Sequence, residues 1–168
     1  MAIVSSAAAG LRAASRASIV QLRAPALSTA ALEKELNTLV ASASVPVVVS
    51  SRCDVAIACD AAGVNLPEKD ISVAEARMLV GQRLIGRSVH SVGSAQAAEH
   101  DGADYVIFGP VWDSASHPGI APAGPAALAE VVESVGIPVL AIGGVTEERA
   151  AQVLASGAAG YAAIRLFE

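Results

Sequence analysis

Seven short apolar runs recur along the chain, and they limit its fold more than any other feature. They are SIVQLR (18–23), VPVVVS (45–50), GVNL (63–66), LIGRSVHS (84–91), YVIFGPV (105–111), IPVLAIGG (137–144) and GYAAIRLF (160–167). Each is too short and too rich in β-branched residues for a buried helix. Their hydrophobicity is continuous rather than alternating, the pattern of strands covered on both faces in a parallel sheet.

Helical segments fall between the runs. Leu27 to Ala41 sets Leu32, Leu36, Leu39 and Val40 on one stripe, and Ser72 with Glu75 forms a capping box that opens a helix reaching Val80. Thr146 followed by Glu147 and Glu148 starts another, with a hydroxyl cap and acids in the first turn. Three similar joints, AAGV (61–64), DGADYV (101–106) and SGAAGYA (156–162), close helices and start strands, which indicates a repeated βα unit. The pattern predicts an α/β chain folded as a minimal (β/α)8 TIM barrel. Its first strand is short or missing, because only MAIVS at positions 1–5 is left to supply it before a helix over Ser6 to Arg16. A doubly wound open sheet is the structural alternative.

At 168 residues the chain fits one domain, taken as 1–168, and 54% hydrophobic residues against 16% charged ones exclude disorder. No apolar run approaches the roughly 18 residues that span a bilayer, so no membrane partner and a cytoplasmic location are expected. The net charge of −5, without a basic block, provides no electrostatic footprint for nucleic acid. Arg12, Arg16 and Arg23 precede the first acid and suggest a transit peptide, but SIVQLR already reads as a strand. Cys53 and Cys59 lie six apart, wrongly spaced for a zinc site or a disulfide framework, and read as packing residues.

Barrel sites form at the C-terminal ends of the strands, and polar residues gather at those ends here. Gln21 and Arg23 alternate with Val20 and Leu22, so both would face the barrel mouth, where an arginine fork holds phosphate groups well. Ser50, Ser51 and Arg52 end the next run, followed by Asn65 and Asp70, then Ser88 and His90. Asp70 supplies a hard oxygen of the kind Mg²⁺ takes from one or two carboxylates plus substrate phosphates. Gly143 and Gly144 feed the N-terminus of a helix, and with the end of the last run, at Ile164 and Arg165, they mark the usual phosphate seat of barrels. The stretch FGPVWDSASHPG (108–119) adds the only tryptophan, two serines and His117 in a loop beyond the fifth run.

In this order these residues resemble the thiamine phosphate synthase and TenI family of barrels. The likeness runs from about Ala7 to Phe167 through QLR (21–23), SSRCDVAIACDAAGVNL (50–66), EKD (68–70), SVHS (88–91), DGADYVIFGPV (101–111), DSASHPG (113–119), Gly124 and IPVLAIGGVTEERAAQVLASGAAGYA (137–162). The resemblance implies an enzyme of thiamine biosynthesis, a transferase. A hydroxymethylpyrimidine diphosphate would lose pyrophosphate with help from Mg²⁺, and a thiazole phosphate nitrogen would capture the methylene. By that likeness Gln21, Arg23, Ser50, Ser88 and the metal ligand Asp70 would serve the pyrimidine diphosphate, with Arg23, Ser88 and His117 in catalytic roles. Ser114, Ser116, Gly124, Gly143, Gly144, Ile164 and Arg165 would surround the thiazole phosphate. A homo-oligomer fits the same resemblance.

The chain departs from the family pattern at several of these places. Pro25 replaces a lysine, Ser50-Ser51 an Asn-Asp pair, and His117 a lysine, while LPEKD replaces a GQED-like segment and Arg165 a serine. Loss of one of two metal carboxylates is expected to weaken Mg²⁺ binding. Two alternatives follow: a TenI-like thiazole tautomerase that moves a proton through His90 or His117, and a non-catalytic binder or regulator that keeps the phosphate seat. The TenI branch places its catalytic histidine after the glycine of FG, where this chain has Pro110.

Overall fold

The computed structural model describes residues 1–114, 119 and 121–167. Eight strands alternate with helices: β1 (Ala2–Val4), α1 (Ala7–Ala13), β2 (Val20–Leu22), α2 (Thr29–Ser42), β3 (Val47–Ser50), α3 (Cys53–Ala58), β4 (Gly63–Leu66) and α4 (Val73–Val80). The second half repeats the alternation with β5 (Leu84–Val89), α5 (Val92–His100), β6 (Tyr105–Phe108), α6 (Gly124–Ser134), β7 (Val139–Ile142), α7 (Glu147–Ala155) and β8 (Gly160–Ala162). All neighbouring pairs are parallel and the strands follow one another in chain order. The sheet closes on itself: Ile3 N–H donates to the Ala163 carbonyl at 2.9 Å, and Ala163 N–H to the Met1 carbonyl at 3.1 Å. That closure makes a (β/α)8 barrel and rules out the open doubly wound sheet. MAIVS does supply the first strand, at three residues.

The continuous apolar runs have a simple cause in this architecture. Val47 and Val49 of β3 pack outward with Val20, Leu22, Leu36 and Leu39 between sheet and helices, while Val48 turns inward to join Ile3, Tyr105, Ile107 and Ala162 inside the barrel. Both strand faces are thus buried. Cys53 and Cys59 are buried and unpaired, and burial raises both thiols above their ordinary range, as inert packing residues require.

Local signals place most boundaries. Ser72 Oγ accepts from Glu75 N–H at 3.1 Å, and the Glu75 carboxylate accepts from Ser72 N–H at 2.8 Å, so the capping box forms as expected. Thr146 caps α7 through Arg149 N–H, and Ser28 rather than Leu27 opens α2. Two runs are shorter as strands than their hydrophobicity suggests. β6 stops at Phe108 because Pro110, which follows a cis Gly109–Pro110 bond, has no N–H for a ladder. The last run leaves the sheet after Ala162, and Arg165–Phe167 turns as a 3-10 helix that lays Phe167 in the outer core under the Arg16 guanidinium.

Gly86 is an obligatory gap in the barrel interior. It pairs in register with Asn65 on one side and Tyr105 on the other, and a β-carbon there would stand 2.2 Å from Tyr105 Cζ. Gly86→Ala is therefore expected to destabilise the barrel by about 3 kcal/mol, lowering Tm by roughly 6–12 °C. Thermal unfolding of Gly86→Ala, Tyr105→Ala and the double variant checks the cause. The double variant should be more stable than the sum of the single losses implies, and strict additivity would show that the ring is not what the alanine meets.

Candidate functional site

A cavity of about 580 Å³ opens at the C-terminal ends of the strands. Every strand contributes to it. Ile3, Gln21, Ser50 and Asn65 come from β1 to β4, and Ser88, Ile107, Ile142 and Ala162 from β5 to β8. The loops beyond the strands add Arg23, Glu68, His90, Ser114, the Gly143–Gly144 turn, Ile164 and Arg165.

Most residues expected to serve substrate are thus brought together: Gln21, Arg23, Ser50, Ser88, Ser114, Gly143, Gly144, Ile164 and Arg165 all line this space. Ser116 and His117 lie outside the described residues. Gly124 is not at the cavity. It begins α6 with φ +83°, and its N–H donates to the Val111 carbonyl at 3.0 Å, so it shapes the turn that returns the chain to the barrel wall.

The floor is polar and buried. Gln21 and Asn65 are the two buried polar side chains among the described residues, at 2% and 3% exposure. Asn65 Nδ2 donates to Ser88 Oγ at 3.2 Å, while Gln21 Oε1 and Asn65 Oδ1 have no hydrogen-bond partner. Burying such amides carries a cost unless a ligand or water completes them. Arg23 is exposed at the rim, two residues beyond Gln21 on the same side of the strand.

The β4–α4 loop does not present its acids as expected. Arg87, pointing outward from β5, donates through Nη1 to the Ile71 carbonyl at 2.6 Å and through Nη2 to the Glu68 carbonyl at 2.7 Å. That clamp fixes the loop with Glu68 toward the cavity. Asp70 is not among the lining residues, and its Oδ1 accepts from Ile71 N–H at 2.8 Å. No cluster of three or more His, Cys, Asp or Glu that could hold a metal forms among the described residues. Ser51 has a left-handed backbone with φ +67°, a region that residues other than glycine enter uncommonly.

His90, read from the sequence as a proton carrier of the tautomerase alternative, is joined by Arg149, which was not assigned a role from the sequence. His90 Nδ1 donates to the Gly109 carbonyl at 2.5 Å, which directs Nε2 to within 3.9 Å of Glu68 Oε2. Arg149 reaches the cavity from α7, its Nη1 donating to the Gly144 carbonyl at 2.6 Å and its guanidinium lying 5.2 Å from the Trp112 ring centroid. Trp112 therefore packs against protein. Gly144 has φ +65°, and a β-carbon on it would stand 2.5 Å from the Asp113 carbonyl oxygen. The turn thus has the space and the backbone freedom of glycine only.

Fold and cavity together define a (β/α)8 barrel with a small-molecule site at its C-terminal mouth. A family model described as thiamine monophosphate synthase matches residues 2–167, and the chain belongs to that family. It is 40% identical over 152 residues to the thiamine-phosphate synthase of Chloroflexus aurantiacus, covering 88% of this chain and 70% of that one. It is 42% identical over 164 residues to the thiamine-phosphate synthase of Methanoculleus marisnigri, covering 93% and 76%. The solved thiamine phosphate pyrophosphorylase from Pyrococcus furiosus superposes with a TM-score of 0.88 at 31% identity, over 97% of this chain and 83% of that one. The M276A mutant of FabK from Thermotoga maritima, at 19% identity and a TM-score of 0.83 over 99% of this chain and 61% of that one, shares the fold.

Proposed function

We propose that this protein is a thiamine-phosphate synthase, a transferase that joins hydroxymethylpyrimidine diphosphate to thiazole phosphate and releases pyrophosphate. One observation carries the reading. The cavity of a barrel in this family holds, in one continuous space, Gln21, Arg23 and Ser88 on one side and Ser114, Gly143, Gly144 and Arg165 on the other.

The bond between the pyrimidine methylene and the diphosphate oxygen breaks with its electron pair leaving on oxygen. The thiazole nitrogen lone pair then forms the new C–N bond. Arg23, at the rim, neutralises charge that grows on the departing diphosphate, and this is where electrostatic help is worth most. Gln21, a buried neutral amide, suits the pyrimidine ring rather than the charged tail, and Ser50 and Ser88 add hydroxyls beside it. The Gly143–Gly144 turn offers backbone N–H groups to the thiazole phosphate, and Ile164 closes an apolar wall over the ring. Holding the two rings in one space supplies much of the rate by proximity.

Glu68 lines the cavity and would give one carboxylate to a Mg²⁺ arriving with the diphosphate, which suffices when phosphates complete its shell, whereas Asp70 would reach it only by releasing Ile71 N–H. When bound it would neutralise diphosphate charge. With Asp70 turned to its own loop backbone, the ion would be held weakly. Pro110 at the cavity wall has no proton to exchange where the TenI branch has its histidine, and the relatives named thiamine-phosphate synthase favour the synthase over the tautomerase alternative, although His90 does line the cavity.

Purified protein supplied with both substrates and Mg²⁺ is expected to form thiamine phosphate. Half-saturation in Mg²⁺ should rise by about 10-fold in Asp70→Ala, as the loss of one charged ligand interaction implies. Absence of product at high enzyme and high Mg²⁺ overturns the assignment. An unchanged Mg²⁺ dependence in the variant moves the ion to Glu68.

A further inference from the structure

Arg149 enters the cavity from a helix rather than from a strand end, and its placement runs against local electrostatics. Its backbone N–H donates to Thr146 Oγ1 at 3.3 Å, which fixes it in the first turn of α7, and its side chain folds back to the Gly144 carbonyl. Helix macrodipoles favour acids in that turn and disfavour cations. The adjacent acids form no contact ion pair with it, although its charge does attract Glu148: Glu148 Oε2 accepts from Thr146 Oγ1 at 2.8 Å, and Glu147 faces Arg16 at 3.9 Å. Among the described residues Arg149 forms no ion pair.

Its geometry suits an anion. The guanidinium carbon lies over the Trp112 ring, 5.2 Å from its centroid, and Nη1 is engaged by a neutral carbonyl. That leaves further guanidinium N–H groups for a forked contact with phosphate oxygens. The cation also borders the glycine turn whose backbone N–H groups attract the same charge, so two unlike donor sets converge in one part of the cavity.

We propose that Arg149 is a substrate-binding residue that holds the phosphate of the thiazole substrate against the Gly143–Gly144 turn. This rests on the synthase reading above and adds a cation that the family resemblance does not supply.

Calorimetric titration of the whole chain with thiazole phosphate and with the corresponding thiazole alcohol tests the assignment. The wild type should prefer the phosphate. Arg149→Met should weaken phosphate binding by about 30-fold, the range of a lost charged hydrogen bond, and leave alcohol binding within about twofold. Arg149→Gln keeps an amide donor for the Gly144 carbonyl without the charge, and it should lose the phosphate preference equally. A residue that only supports Gly144 and Trp112 would lower both ligands by the same factor in the Met variant and neither in the Gln variant, and that outcome overturns the proposal. Should Arg149→Met prove unstable on heating, the Gln variant decides alone, full phosphate preference counting against. A wild type that binds neither thiazole removes the synthase reading along with this one, whereas wild-type binding with unchanged preference in both variants removes only the role of Arg149.

Discussion

Arg23→Ala is expected to lower kcat/KM for the pyrimidine diphosphate by about 10³-fold, the loss seen when a donor to developing negative charge is removed. Arg23 is exposed at the cavity rim and no hydrogen bond or ion pair to its side chain forms among the described residues, so its removal should leave Tm nearly unchanged. Most of the loss should fall on kcat, because charge on the leaving diphosphate is greatest as the C–O bond breaks. Arg23→Lys should recover only part of it, since a single ammonium cannot reproduce the forked contact. The effect should be large here because Pro25 stands where the family pattern has a lysine, leaving fewer cations to share the task. Steady-state kinetics with the diphosphate varied at fixed thiazole phosphate checks this. A change below about threefold would place the diphosphate elsewhere, on a scale where tenfold is about 1.4 kcal/mol.

Gly144→Ala is the second large effect, and Gly124→Ala is its control. Both glycines have positive φ, +65° and +83°, so both alanines carry backbone strain of about 1–2 kcal/mol. Gly144 is also enclosed: its added carbon would meet the Asp113 carbonyl at 2.5 Å and Trp112 Cβ at 2.7 Å, whereas no atom of the described residues lies within 4 Å of one on Gly124. The β6–α6 loop must then move off the glycine turn. Thiazole phosphate affinity is expected to fall by about 100-fold in Gly144→Ala, as for a buried contact group that loses its alignment. Gly124→Ala should lose stability alone. Similar affinity losses in both would return Gly124 to the binding site, where the family resemblance had put it.

Much of the barrel was readable before any coordinates. Seven of the strands showed as apolar runs because a closed parallel barrel buries both strand faces, and Ser72 with Glu75 marked a helix start by a mechanism that operates locally. The first strand was doubtful for a physical reason. Three residues carry little pattern, and what makes Ala2–Val4 a strand is hydrogen bonding to Ala163 and Ile19, neither of them near in sequence. The last run was overextended because Leu166 and Phe167 are as apolar as strand residues but pack against the outside of the barrel.

The strand-end rule found Gln21, Arg23, Ser50 and Ser88 because strand alternation fixes where those side chains point. It could not find Arg149, which starts on a helix and folds back. It placed Asp70 as the loop's inward acid, but the direction of that loop is decided by Arg87, a residue on the outer face of the next strand whose guanidinium has no sequence signature for its targets, the backbone carbonyls of Glu68 and Ile71.

The seam between the first and last strands also bears on how the chain reaches this state. The bonds that join Met1 and Ile3 to Ala163 cannot form until Ala163 itself has been made. Until then the open N–H and C=O groups of Ala2–Val4 form a bare edge, the kind of surface that recruits a strand from another chain. A chain that stops short of Ala163 keeps that adhesive margin, and pairing with Ala163 covers it.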